Sequence, residues 1–567
     1  MENLAEIQHL LNDVYGEVAG RAAFEKILPI IKGHSDLKSR KKTDFSEKDV
    51  FLITYGDTLN KTGEAPLETL NNFAESRFKD VFSTIHILPF FPYSSDDGFS
   101  VIDFFAVNPE LGNWEDIQRI GREFRLMFDL VLNHVSSKSP WFQYYLDERP
   151  DYRDLAIEVD PSTDLSRVTR PRSLPLLTPF EKTSGNTAHV WTTFSADQID
   201  LNYKSTDVIE KMIKILLFYV TKGAAVIRLD AVAYLWKEIG TPCIHLRQAH
   251  QMVQLFRKVL DVAAPDTLLI TETNVPHPEN VSYFGDGKNE AQMVYNFTLP
   301  PLLLYTFIRQ DAGVLSRWAE CLRINSPDNT FFNFTASHDG IGVRPLEGIL
   351  ARDEIEKLID IVKKNGGEVS YKKDPDGSNS PYELNITYVD ALLNPEHKND
   401  PLHIPRFLAS QAIQLVLPGV PAIYIHSILG SKNWLEGVRQ TQRQRAVNRE
   451  KLQVDEVLSQ LKDPETFRSR IFYPFIHMIK TRKKQPAFHP KADFELHHID
   501  PKVFVVVRRS KAQTIYTVTN VSSSRVNVSL SDAKAPSLMK DLISGDDFRT
   551  EAITLAPYQF LWLSLRR

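Results

Sequence analysis

Eight short apolar runs, separated by amphipathic segments, set the strongest limit on how this sequence can fold. They read FLITYG from residue 51, TIHILPFF from 84, RLMFDLVLNH from 125, AAVIRLDAV from 224, TLLITETN from 267, MVYNFT from 293, TFFNFTASHD from 330 and PAIYIHSI from 421. Each is rich in β-branched or aromatic residues and of single-strand length. Helical stretches such as 114–124 and 207–221 lie between most of them. Strands separated by helices pair in parallel, and eight of them predict an α/β fold, a closed (β/α)8 TIM barrel.

Two intervals are too long to be simple crossovers. Residues 135–206, with the Pro- and Ser-rich stretch RVTRPRSLPLLTPFEK, read as an insertion after the third strand, and residues 340–400 as one after the seventh. The barrel then occupies 51–134, 207–339 and 401–490. Residues 1–50 predict a helical extension, since Leu4, Ile7, Leu10, Leu11 and Val14 share one helix face and Phe24, Ile27, Leu28 and Ile31 another. From 491 to 567 the runs VFVVVRR, TIYTVTNV, RVNVSL and FLWLSLRR predict a C-terminal all-β domain.

Composition excludes several partners. Among 567 residues, 67 basic against 72 acidic side chains leave a net charge of -5, so neither nucleic acid nor an anionic membrane is expected. The basic runs Lys38–Lys42 and Lys480–Lys484 read as solvated segments. No stretch reaches the ~20 apolar residues of a membrane span. The first residues, MENLAEIQHLLNDVYGEV, lack the pattern of a secretory signal. The two cysteines, Cys243 and Cys321, read as buried apolar residues in a reducing compartment. A cytoplasmic protein, monomer or homodimer, is expected.

Four strand ends carry polar residues that a purely structural barrel does not need. The third run ends Asp129-Leu-Val-Leu-Asn133-His134, the fourth Arg228-Leu-Asp230, the fifth Glu272-Thr-Asn274 and the seventh His338-Asp339. Barrel active sites form at strand C-termini, so Asp230, Glu272 and Asp339 are expected to converge on one pocket. Paired carboxylates suit glycoside chemistry: one attacks the anomeric carbon, the other moves a proton to and from the exchanging oxygen. Arg228, two residues before Asp230 on one strand face, would keep a nucleophile ionised. The residues alone do not say which acid takes which role.

DLVLNH, IRLDAVAYL, ITETN and FTASHD resemble, in order, the four signature regions of glycoside hydrolase family 13, the α-amylase family, over residues 50–567. The resemblance implies Asp230 as nucleophile, Glu272 as general acid/base and Asp339 as a stabiliser gripping two sugar hydroxyls, with His134, Arg228 and His338 around the donor glucose. LPFFPYSSDDGFSVIDF, holding Asp96 and Phe99, is similar to the sucrose phosphorylase subfamily, whose donor pocket is blind-ended. By that likeness Arg445 in RQTQRQRAVNR would pair with Asp96, and Phe194 and Gln198 would sit at the acceptor mouth. In the subfamily phosphate resolves the glucosyl-enzyme. Arg344, Lys372 and Lys373 are therefore candidate phosphate cations, Tyr234 a neutral donor, and Tyr382 a loop residue of the same region.

Asn274 stands where sucrose phosphorylases carry a histidine, and the second insertion is lysine-rich (GEVSYKKDPDGSNSPYELN). With the amino-terminal extension, these departures look more like the glucosylglycerate phosphorylase branch, in which a carboxylate-bearing acceptor needs extra cations. Sucrose or sucrose 6-phosphate phosphorylase, a hydrolase or transglucosidase, and a non-catalytic sugar-binding protein are the alternatives. Phosphate is expected as co-substrate and no cofactor. Many amylases place a calcium ligand at the position of Asn133, but 135–206 shows no acidic ligand set and no H-x-x-H or Cys/His spacing occurs, so no metal is expected.

Overall fold

The computed structural model describes residues 2–34, 45–324, 326–374, 376–397 and 399–565. The run Lys38–Lys42 lies outside them. All eight apolar runs form strands: β1 (Phe51–Thr54), β2 (Thr84–Ile87), β3 (Arg125–Val131), β4 (Ala224–Asp230), β5 (Leu268–Thr271), β6 (Met293–Tyr295), β7 (Thr330–Phe334) and β8 (Val420–Tyr424). They pair in parallel, in sequence order, and β8 closes on β1 through Phe51 opposite Ala422. Strands enclosed on both faces need continuous apolar sequence, and every residue of β1, β2, β5, β6, β7 and β8 is buried. Helices start where the sequence supplies caps. Asn113 closes a capping box with Asp116 ahead of the helix Trp114–Glu123.

The first insertion leaves β3 through His134–Ser136, which pairs antiparallel with Gln198–Asp200 at its return. The second, after β7, contains the helix Arg352–Lys364 and the hairpin Glu368–Lys373/Asn379–Asn385. An antiparallel bridge between Arg170 and Lys373 helps join the two insertions. The C-terminal strands form a six-stranded antiparallel sheet and a separate strand pair. Four of these strands, Asp493–Leu496, Leu538–Asp541, Asp547–Arg549 and Ile553–Leu555, had no apolar run to announce them.

The amino-terminal residues form two helices, α1 (Glu2–Tyr15) and α2 (Glu17–Lys32), packed on the barrel-side helices Arg247–Ala263 and Thr206–Thr221. Tyr15 Oη donates to the Tyr203 carbonyl at 2.9 Å, and Lys26 and Lys258 pair with Asp207 and Glu6 at 2.7 and 2.6 Å. The extension thus covers one flank of the barrel.

Two expectations fail. Cys243 is buried but Cys321 is exposed, because it lies in the turn that follows the short helix Gly313–Ala319 rather than entering the core. Nor is the 480–484 stretch wholly solvated. Arg482 is buried, donating to the carbonyls of Leu415, Glu47 and Phe488, and so joins three segments beneath the barrel.

Candidate active site

At the C-terminal ends of the strands, Asp230, Glu272 and Asp339 line one pocket. Arg228, buried within β4, donates from one nitrogen to Asp129 and Asp230, each at 2.6 Å. Asp129 in turn meets buried His86 at 2.6 Å, so the guanidinium is fixed from below. Burial pushes the Asp230 carboxyl above its ordinary pKa, and Arg228 opposes that rise. After Asp230 the chain turns through Ala231 in the left-handed region (φ 53°), which aims the Ala231 N–H at Glu272 Oε2, 3.1 Å away. Burial, reinforced by the charges of Asp230 and Asp339 and opposed by Arg228, raises the Glu272 pKa to about 7. Asp339 goes the other way: burial would raise its pKa, but Arg445 at 2.7 Å brings it far below the usual carboxylate range. Burial thus raises both Asp230 and Glu272 while Arg445 holds Asp339 low, so Glu272 can keep a proton beside an ionised Asp339.

The surrounding residues form a closed wall. Phe99 stacks on His338 (4.7 Å, 6°), and its carbonyl meets His134 Nε2 at 2.8 Å and the Gln198 amide at 3.2 Å. Phe194 packs against both His134 and Tyr234, at 5.4 and 5.5 Å. Asp96 lines the pocket at the far end of Gln198, 3.5 Å away. Asp96 and Asp97 both adopt left-handed backbone (φ 54° and 48°), a conformation that costs on the order of 1–3 kcal/mol per residue. Gly98 follows at φ 109°, where a Cβ would lie 2.5 Å from the Pro89 carbonyl. Asn274 lines the pocket with its Oδ1 buried and unpartnered, and a Cβ on Gly342 would lie 2.5 Å from that oxygen.

Several expected residues take other roles. Arg445 does not pair with Asp96. It binds Asp339 and, bidentately, Glu383 at 2.9 and 3.0 Å, while Arg449 meets Asp97 at 2.6 Å and Asp96 at 3.8 Å. RQTQRQRAVNR holds arginines at both positions, and only the fold shows which side chain reaches the 96–97 turn. Lys372 and Lys373 do not line the pocket. Lys372 is engaged by Asp374 at 3.0 Å and Glu347 at 3.8 Å, and Lys373 lies at the Arg170 bridge. Arg344 is likewise outside the lining, paired with Glu279 at 3.4 Å. Arg172 does line the pocket, beside Arg228 and Arg445; it lies 5.2 Å from the Tyr382 ring centre, donates to the Pro171 carbonyl at 3.4 Å and is in no ion pair among the described residues. Sequence reasoning missed Arg172, Glu383 and Arg449, and named Asp129 without its pairing to Arg228. Arg172 gave one signal, its place beside Pro171 in the stretch RVTRPRS of the first insertion.

The neighbourhood of Asn133 is filled by an ammonium. Lys237 Nζ donates to Asn133 Oδ1 (2.8 Å) and the Tyr234 carbonyl (2.5 Å), and pairs with Asp200 (2.5 Å). These oxygens are committed to a fixed cation of the chain itself, so they do not fit a calcium ion. Removing one partner of a buried pair is strongly destabilising, so Lys237→Ala should lose about 3–5 kcal/mol in urea denaturation. A midpoint equal to that of the wild type would contradict this account.

The geometry matches known proteins. The profile of the α-amylase catalytic domain fits residues 80–317, and that of the maltogenic amylase C-terminal domain fits 494–562. This chain belongs to the α-amylase family, in its glycoside phosphorylase branch. Among its relatives, the glucosylglycerate phosphorylase of Spirochaeta thermophila is 46% identical over 585 residues, covering 100% of this chain and 99% of that protein. That of Escherichia coli is 44% identical over 560 residues, covering 98% and 99%. The solved sucrose 6F-phosphate phosphorylase from Thermoanaerobacter thermosaccharolyticum superposes with a TM-score of 0.74 at 26% identity, covering 90% of this chain and 98% of that one. No described helix is long and apolar enough to cross a membrane.

Proposed function

We propose that this chain catalyses the reversible phosphorolysis of 2-O-α-glucosylglycerate to α-glucose 1-phosphate and glycerate, with retention. The observation that carries the reading is one pocket in which Glu272 can hold a proton beside an ionised Asp339, and whose lining includes the Arg172 guanidinium, in no ion pair among the described residues. The near-full-length identity of 44–47% to glucosylglycerate phosphorylases supports the same acceptor. Asp230, oriented by Arg228, attacks the anomeric carbon while protonated Glu272 gives its proton to the departing glycerate oxygen. Phosphate then enters, transfers a proton to Glu272 and attacks the glucosyl–Asp230 ester, regenerating both acids. Asp339, ionised beside Arg445, accepts hydrogen bonds from sugar hydroxyls. Phosphate is a co-substrate, and no step needs a cofactor. Two unpaired cysteines suit a reducing cytoplasm.

Arg172 is placed to receive the anion, whether phosphate or the glycerate carboxylate. Arg172→Ala should therefore raise KM for both by about 10- to 100-fold, the equivalent of about 1.5–3 kcal/mol for a charge-assisted hydrogen bond. Hydrolysis of a neutral activated α-glucoside such as α-glucosyl fluoride, which presents no anion to Arg172, should fall less. Equal losses in both reactions would assign Arg172 a structural role. The acceptor is tested by incubating glucose 1-phosphate with glycerate, glycerol, fructose, fructose 6-phosphate or water and following phosphate release. Glycerate should give the fastest release. A fructose or fructose 6-phosphate preference would instead assign the sucrose or sucrose 6-phosphate reaction, and release independent of acceptor would make the enzyme a hydrolase.

A further inference from the structure

Asp197, on the returning arm of the first insertion, does not line the pocket. Its Oδ2 accepts hydrogen bonds from the hydroxyls of Ser94 (2.5 Å), Ser95 and Ser100 (2.8 Å), and its Oδ1 from that of Ser137 (2.5 Å). Its backbone carbonyl accepts the Ser137 N–H at 2.9 Å and lies 2.9 Å from the Ser100 hydroxyl. An ionised carboxylate can accept about four such bonds without donating any, which an amide cannot match. Three segments therefore meet at one side chain. The 94–100 turn carries Asp96 and Phe99, the 134–137 segment carries His134, and 194–198 carries Phe194 and Gln198, and all five of these residues line the pocket.

The 94–100 turn is also where the backbone is strained, with left-handed torsions at Asp96 and Asp97. Such conformations persist only where the surroundings over-determine them. Arg449 holds the turn from one side through Asp97 at 2.6 Å. The serines bound to Asp197 hold it from the other. We infer that Asp197 is a positioning residue for the donor pocket, its carboxylate fastening the strained 94–100 turn to both arms of the first insertion. The inference rests on the proposed function only in taking the pocket's occupant to be glucose.

The test combines amide hydrogen exchange with kinetics on Asp197→Asn, Ser94→Ala and Ser100→Ala. Asp197→Asn keeps the size of the side chain but puts a donor where the serines need an acceptor. The serine variants each remove one partner and guard against loss of the fold. Exchange should quicken at 94–100 and 134–137 and stay unchanged in β5 and β6. KM for glucose 1-phosphate should rise about tenfold in Asp197→Asn with kcat lowered less than about threefold, because the turn grips glucose alike in ground and transition states. Each serine variant should move both readouts the same way by less. Unaltered exchange at 94–100 in Asp197→Asn would overturn the proposal, as would quickened exchange with an unchanged KM or a loss confined to kcat. If the wild type releases no phosphate from glucose 1-phosphate, the phosphorylase reading fails, and the exchange measurement alone still decides whether Asp197 fastens the turn.

Discussion

Asp230→Ala should lower kcat for phosphorolysis by about 10⁵-fold or more, the scale seen when a covalent nucleophile is removed from an enzyme. Asp230 is the last residue of β4, and its carboxylate shares the Arg228 guanidinium with Asp129. Truncation leaves Arg228 still paired with Asp129, so the barrel should remain intact and the loss should be chemical. The product reports the mechanism more sharply than the rate. With the carboxylate gone, a small anion such as azide can enter its space and attack the anomeric carbon from the face opposite the leaving group. A variant supplied with an activated α-glucoside and azide should therefore form the inverted β-glucosyl azide, whereas the wild type can form only retained products. An α-configured azide product, or turnover near the wild-type rate, would remove Asp230 from the nucleophile's role.

The barrel was legible in the sequence because parallel strands buried on both faces must be apolar throughout, and few other structures require that pattern. The convergence of Asp230, Glu272 and Asp339 was legible for a related reason, since strand C-termini of a barrel necessarily open on one face. What pairs with what inside the insertions was not. The lysines of 372–373 are cationic in sequence, but Asp374, two residues from Lys372, lies within 3.0 Å of its ammonium and takes it away from the pocket. Arg172 lacks such a neighbour, a fact about the packed chain and not about its local sequence. The exchange of Arg445 for Arg449 has the same origin. Two arginines four residues apart look equivalent until the backbone decides that one faces Asp339 and Glu383 and the other Asp97. In the proposed reading the acceptor is recognised by these insertions, so charge counting could indicate an anion there without identifying the residue that receives it.

Glu272→Gln should separate proton transfer from glycosyl transfer. Glycerate leaves as a poor alkoxide and needs a proton, so phosphorolysis of glucosylglycerate should fall by about 10²–10⁴-fold, the usual share of a general acid. Phosphate is a good leaving group, and azide needs no base to attack. The variant should therefore still convert glucose 1-phosphate and azide to α-glucosyl azide at a rate far closer to the wild type. The pH profile carries a second signature. With a pKa of about 7, Glu272 loses its proton as the pH rises, so wild-type kcat/KM for phosphorolysis should decline above that point, and the variant should lack this limb. The substitution should move stability in the opposite sense to activity. The folded-state pKa is raised from the ordinary 4.5, so between these values the folded protein keeps a proton that the unfolded chain releases. Stability from this group thus falls as the pH climbs from about 4.5 to about 7, and above that range the buried charge is fully unfavourable. The neutral glutamine escapes this cost, so the variant should exceed the wild type in stability at pH 8 by about 3 kcal/mol at most, and match it more closely at pH 4.5. A variant less stable than the wild type at pH 8, or one that keeps the alkaline limb, would show that another group holds the catalytic proton.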